Sequence, residues 1–270
     1  AVTDEGSEIL RELAEYVRKL QGLSSLEQIL LGKLTVKKVV IIPGDSDEEA
    51  VVKREIGRAA AHVLVSLLEE GKGRIVAVSG GTTLAAAASN IRGNFPDVVV
   101  VPARGGLGDT LELQANTIAT VMRAAYRQLY VPDSVSQEIL NSILAEDAGI
   151  RAVVDIIKHA DILVHGIGRA DVMARHRHLP QTFIDRLLEQ GAVGEAVGQY
   201  SDIRGQQIYM TNNAGLMMND LPRIGTVIGV AGGKSKAKAI IAVSRATKQD
   251  ILITDEAAAN EMVALFEAGN

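Results

Sequence analysis

Six short apolar runs rich in β-branched residues constrain this chain more than any other feature: VKKVVIIPG (36–44), RIVAVSG (74–80), DVVVVPA (97–103), ADILVHGIG (160–168), IGTVIGVAGG (224–233) and DILITD (250–255). Each stops at or next to a glycine, proline or aspartate, residues that end strands and start turns. Helical stretches lie between them, among them DEEAVVKREIGRAAAHVLVSLLEEG (47–71) and GDTLELQANTIATVMRAAYRQLY (108–130). Strands that are apolar throughout and alternate with helices belong in a parallel sheet covered on both faces. The expected fold class is α/β, a doubly wound, mostly parallel sheet filling one domain from about residue 32 to 270. A helical subdomain is expected near 131–150.

The core of such a sheet must be built here from Val, Ile, Leu and Ala. Hydrophobic residues make up 47% of the 270, aromatics only 3%, and cysteine and tryptophan are absent. That is enough apolar material for a substantial core, and it excludes a disulfide framework or a thiolate metal site. The formal net charge of -5 argues against these residues as a DNA-binding surface, which needs clustered Lys and Arg. No apolar run reaches membrane-spanning length, and the acidic start AVTDEGSEIL lacks a secretory pattern, so a cytoplasmic protein with no membrane contact is expected. The first residue is Ala1, and an upstream segment, removed or left out, is expected.

Residues 1–31 read differently from the rest. Ile9, Leu10, Leu13, Val17 and Leu20 recur at helical spacing opposite Glu and Arg, the pattern of an amphipathic helix that needs a partner surface. Its own domain or a second subunit could supply that surface. A linker or oligomerisation helix is expected here, and with it a homodimer or higher homo-oligomer.

In an open α/β sheet, ligands bind beyond the carboxyl ends of the strands. After the second run, Ser79, Gly80, Gly81, Thr82 and Thr83 combine backbone freedom, hydroxyl donors and a helix start, which together can cradle a phosphate. An ordinary glycine turn with Thr82 or Thr83 as N-cap is the alternative. Neither a Walker A loop nor GxGxxG is present. After the third run, Arg104 precedes Gly105 and Gly106 and could grip phosphate in a bidentate fork; Gln114, further on, could offer an amide to a hydroxyl or face solvent. Gly232 and Gly233 precede Lys234, Lys236 and Lys238 at another helix start, where an anion would relieve the clash between lysines and helix dipole. A solvated basic face is the alternative. Two glycine cradles and an arginine loop point to a ligand with more than one anionic group.

Taken in order, VSGGTTLAA, VPARGGLGD, ADILVHGIGRAD, VGEAVGQYSDIRGQ and VAGGKSKAKAI resemble the effector-binding domain of SorC-type bacterial transcriptional regulators, over about residues 20–270. Within that family the likeness is to repressors of glycolytic genes. The resemblance implies a fold similar to glucosamine-6-phosphate deaminase and ribose-5-phosphate isomerase, used to sense a phosphorylated sugar, here fructose 1,6-bisphosphate. It also implies a preceding winged helix-turn-helix domain, absent from this sequence, through which alone operator DNA would be bound. Carried over by motif, Gly80, Gly81, Thr82 and Thr83 would hold one phosphate, with Ser79 at the edge. Arg104 and Gly105 match the third-strand loop, Gln114 a sugar-contacting position, and Glu195 a loop acid for sugar hydroxyls. Lys236, after Gly232 and Gly233, would meet the other phosphate, although Lys234 and Lys238 share the turn.

A sugar-phosphate isomerase or deaminase is the rival expectation, since one fold hosts many functions. Such chemistry needs a base and an acid at the sugar carbons, and His165 with Asp171 in HGIGRAD could supply them. His165 could equally sit inside the core. His176 and His178 lack a third partner at metal-ligand spacing. A sensor without catalytic residues, metal or cofactor is the favoured expectation.

Overall fold

The computed structural model describes residue 6 and residues 22–105, 110–131 and 135–269, with the backbone alone described at residues 82 and 110–114. The amphipathic pattern of residues 8–20 lies outside the described residues, as do Gly106 and the side chains of Thr82 and Gln114. The strands among the described residues are, in chain order, β1 Lys38–Ile42, β2 Ile75–Ser79, β3 Val99–Pro102, β4 Ala125–Tyr126, β5 Ile162–Gly166, β6 Gly168–Arg169, β7 Ala192–Ala196, β8 Gln199–Asp202, β9 Gln207–Met210, β10 Thr226–Val230 and β11 Ile251–Asp255. The helices are α1 Leu23–Lys33, α2 Ala50–Glu69, α3 Thr82–Ala88, α4 Thr110–Met122, α5 Gln137–Glu146, α6 Ala148–Lys158, α7 Ala170–His176, α8 Gln181–Glu189, α9 Ala237–Ala246 and α10 Glu256–Glu267.

The six apolar runs became β1, β2, β3, β5, β10 and β11. With the short β4 they form one sheet of order β1-β11-β10-β5-β2-β3-β4, and every pairing in it is parallel. Successive strand residues point to opposite faces, and the two cores divide accordingly. Val76, Val78, Ile162, Val164, Ile228, Val230, Ile251 and Ile253 meet α2, α3 and α4 on one side. Ala77, Leu163, Val227 and Leu252 meet α1, α6, α9 and α10 on the other. Residues apolar on both faces thus give the doubly wound sheet directly. Leu23 and Leu30 of α1 are fully buried in the second core, so the described part of the N-terminal segment packs on the domain.

Three expectations need correction. The helix expected over 108–130 ends at Met122, because Arg123 takes a left-handed φ of 53° and the chain turns into β4. The second is larger: between β5 and β10 the chain builds a separate antiparallel sheet of order β6-β7-β8-β9, which no apolar run announced. Its small core joins Ala170, Ala174, Ile184, Leu187, Ala192 and Tyr200, with Phe183 edge-on to Tyr209 at 4.9 Å between ring centroids. Gly194 lets β7 press against the backbone of α9, where a Cβ would lie 2.8 Å from the Ala239 carbonyl oxygen. The helical subdomain expected near 131–150 is instead a pair of helices, α5 and α6, that run on to Lys158 and pack Leu140 and Ile157 into the main core; Ser136 and Asp147 cap them, accepting from the Ile139 and Ile150 amides.

Candidate functional site at the strand ends

The strand order reverses between β2 and β5: from β2 the chain moves outward to β3, and from β5 it moves the other way to β10. A crevice at the carboxyl ends follows at such a switch point. Here glycine faces glycine. A Cβ on Gly166 would lie 3.5 Å from the Gly80 Cα, and one on Gly80 would lie 3.0 Å from the Gly166 nitrogen. Gly81 beyond them faces open space and is the N-cap of α3, so neither threonine caps that helix. Ser79 and Thr83 are buried beside it.

Arg104, after β3, is only 2% exposed. Its Nη2 donates to Thr211 Oγ1 at 2.7 Å, and its guanidinium is pressed against Gly198, where a Cβ would come within 1.4 Å of Nη1. Gly105 is equally enclosed, since a Cβ there would lie 2.4 Å from the Val131 carbonyl oxygen. Glu195 is on strand β7 and not on a loop as expected, because the antiparallel pairing of Glu195 with Gly168 and Tyr200 draws it into the sheet. Its Oε1 accepts from the Gly198 amide at 2.7 Å and from Arg177 Nη2 at 3.0 Å. Arg177 also donates to the Tyr200 hydroxyl at 3.0 Å. Burial is the main cause that raises the Tyr200 pKa, with Glu195 adding to it and Arg177 and Arg104 opposing. The antiparallel sheet therefore places two guanidinium groups and a carboxylate in one buried cluster next to the strand ends. Asn213, two residues past Thr211, is buried, and neither of its amide atoms has a hydrogen-bond partner among the described residues.

The three lysines after β10 separate by exposure. Lys234 and Lys238 are exposed and Lys236 is half-buried; Lys234 reaches Glu261 on the surface at 3.5 Å. Burial, then Lys53, hold the Lys236 pKa below the usual lysine value, while Asp47 and Asp255 pull it back up. The backbone donors expected to form a second cradle already have partners. Gly233 donates to Asp255 Oδ2 at 2.6 Å, Ser235 to Asp47 Oδ2 at 2.8 Å and Lys234 to Asp45 Oδ1 at 3.4 Å.

His165 is fully buried, with Nδ1 3.0 Å from the Gly166 carbonyl oxygen and Nε2 2.8 Å from Gln249 Oε1. Burial depresses its pKa against the opposing effects of both partners and of Glu195. Asp171 is held by Arg169 at 2.9 Å and Arg175 at 3.0 Å. Its pKa is lowered: burial raises it, and the two arginines outweigh burial. These two groups are partnered within the protein and do not form an open acid–base pair. Among the described residues no cluster of His, Asp and Glu could hold a metal ion, and no helix is long and apolar enough to cross a membrane.

Residues 18–264 match the family model described as "Putative sugar-binding domain". The chain belongs to this sugar-binding domain family. It is 43% identical to the central glycolytic genes regulator of Priestia megaterium over 98% of this chain and 79% of that protein. It is 38% identical to the protein of the same name from Bacillus subtilis, over 97% and 78%. A crystal structure of a SorC family transcriptional regulator from Enterococcus faecalis superposes with a TM-score of 0.79 at 36% identity, covering 88% of this chain and 99% of that one. This is the sugar-binding domain of SorC-family regulators, as the ordered motifs implied.

Within the sugar-binding domain, the structure brings Ser79, Gly80, Gly81 and Thr83 to the switch point. It sets Arg104 and Glu195 in one buried cluster, and Gly232, Gly233 and Lys236 at the end of β10. Sequence reasoning missed Arg177, Gly198, Tyr200, Thr211 and Asp47. Arg177 sat in ARHRH, which has the composition of a solvated basic patch. The signal nearest to it was Gly198, three residues past Glu195, whose turn amide donates to the Glu195 carboxylate; it did not point to Arg177.

Proposed function

We propose that this sugar-binding domain senses a phosphorylated sugar, fructose 1,6-bisphosphate, for a repressor of glycolytic genes, and that it carries no catalytic function. One observation carries the reading. Arg104 and Lys236 follow strands three places apart in the sheet, with β5 and β2 between them. At the usual strand spacing that is about 14 Å, so the buried Arg104 anchors one side of the glycine-lined crevice and the half-buried Lys236 stands at the other, and the space between suits an elongated ligand whose anionic ends meet the Gly80–Gly81 turn and Lys236. The two relatives named central glycolytic genes regulator support the regulatory role. The sealed surroundings of His165 and the arginine-held Asp171 favour a sensor over an isomerase or deaminase.

In this reading Gly80, Gly81 and the threonines receive one phosphate, and Lys236 the other. Gln114 and Asn213 face the sugar hydroxyls, and Arg104, Arg177 and Glu195 hold the floor beneath. Fructose 1,6-bisphosphate should bind at least tenfold, about 1.4 kcal/mol, more tightly than fructose 6-phosphate. Lys236→Ala should abolish most of that preference, whereas Lys234→Ala and Lys238→Ala should leave it. Calorimetry with the two sugars decides it, and equal affinities in the wild-type domain would remove the case for two anionic subsites.

Regulation requires that the ligand bind two states unequally. The proposed route outward runs through residues 1–31, as a link to a DNA-binding domain and to a second subunit: occupancy changes subunit contacts and weakens operator binding in the whole repressor. Sedimentation of the domain and operator titration of a full-length protein, each with and without fructose 1,6-bisphosphate, measure the two ends. If saturating sugar changes neither, the regulatory role is wrong.

A further inference from the structure

The turn after β10 carries a contradiction that the phosphosugar reading leaves open. Its backbone donors are what an anion at Lys236 would use, yet the amides of Gly233, Lys234 and Ser235 are engaged by carboxylates of the protein itself. The three carboxylates are not equivalent. Asp255 is fully buried and also accepts from the Ser46 and Ala258 amides, which makes it part of the scaffold. Asp45 makes a longer contact of 3.4 Å and spends the same oxygen on the Asp47 amide. Asp47 is exposed, and both of its oxygens are turned onto one residue, Oδ2 on the Ser235 amide at 2.8 Å and Oδ1 on the Ser235 hydroxyl at 3.2 Å. It lies so close over the turn that a Cβ on Gly233 would fall 2.2 Å from Oδ1.

We infer that Asp47 is a built-in competitor for the distal phosphate: its carboxylate stands on the Ser235 donors beside Lys236, and an anion seated there must push it off. The inference rests on the phosphosugar reading. The charges around the turn agree with it. Lys53 of α2 opposes the charge on Lys236, and Asp47 and Asp255 favour it; a phosphate brings at least the charge that Asp47 withdraws. The loop is built to let go at this point. Gly44 donates to Glu256 and accepts from Ala257, and Ser46 donates to Asp255, so the segment is pinned up to Ser46. Past Ser46 the exposed residues 47–49 hold locally, their amides donating back to Asp45, and lead into α2. Release of Asp47 therefore reaches the first turn of a twenty-residue helix that forms one face of the core.

The test compares wild-type domain, Asp47→Ala, Asp47→Asn and Glu48→Gln by calorimetry with fructose 1,6-bisphosphate, after melting curves show that each is folded. Glu48→Gln removes the same charge from the neighbouring exposed position without vacating the turn. Asp47→Ala should bind about tenfold more tightly, equivalent to about 1.4 kcal/mol, with Asp47→Asn intermediate and Glu48→Gln within twofold of wild type. Unchanged or weaker binding by Asp47→Ala, or an equal gain in Glu48→Gln, overturns the competitor role and leaves the phosphosugar reading standing. If neither the wild type nor Asp47→Ala binds the bisphosphate, the phosphosugar reading falls and the competitor falls with it.

Discussion

Gly198→Ala should cost the domain about 3–5 kcal/mol of stability, the range for a buried charge stripped of its partners, and should eliminate sugar-phosphate binding. Two effects combine at this residue. Gly198 has a φ of +81°, and a left-handed alanine costs about 1–2 kcal/mol. The new Cβ would also occupy the space of the Arg104 guanidinium and come within 2.5 Å of Thr211 Oγ1. Arg104 is sealed in and has no solvent to retreat into, so the methyl group must unseat a buried cation. Gly22 isolates the first effect, because it has a φ of +73° with nothing within 4 Å of its Cβ position. Gly22→Ala should lose only about 1–2 kcal/mol. Urea unfolding of both variants measures the difference, and equal losses would show that Arg104 can move aside freely.

Arg177→Ala should be comparably damaging, at about 3–5 kcal/mol, and so should Glu195→Ala. The side chains of the pair are 11% and 5% exposed with a 3.0 Å contact, so removal of either leaves the other charge buried without this counter-charge. An exposed pair of the same length would be worth only about 0–1 kcal/mol. Arg177→Ala also strips a donor from the Tyr200 hydroxyl, and Glu195→Ala frees the Gly198 amide. The double variant should therefore lose clearly less than the two single losses added together. A loss below about 1 kcal/mol for Arg177→Ala would place the pair in the surface class.

The parallel sheet was legible because each of its long strands is apolar on both faces, a pattern that composition alone displays. The antiparallel sheet was not. Its strands run through VGEA, QYSD and QIYM, where Gly, Glu, Gln and Asp interrupt any alternation, and they are strands only because they pair with one another and rest on α9. Glycine and lysine motifs at the strand ends could be located without coordinates, since strand ends are where such loops must be. The partners of those motifs could not be located. Arg177 and Thr211 are brought to Glu195 and Arg104 by the unannounced sheet, and Asp47 reaches Ser235 across 188 positions of sequence. The choice among three lysines needed helix phase as well: Lys234 and Lys238 fall on the outer side of the turn, and only Lys236 turns inward.

The place of β11 between β1 and β10 has a consequence for how this domain comes into being on the ribosome. Among the described residues β1 pairs with β11 alone, and the neighbouring Gly44–Glu256 bond closes a span of 212 positions. Contacts of such range are slow to form, because loop-closure entropy is lost before they return anything. Until residues 251–255 have emerged, β1 has nothing to pair with, and Asp255 is not yet there to receive Ser46 and Gly233. The strand that waits is therefore β1, the first of the sheet to be made: it stays without its neighbour while residues 43–250 are synthesised, an unpaired strand of the kind that can recruit other chains.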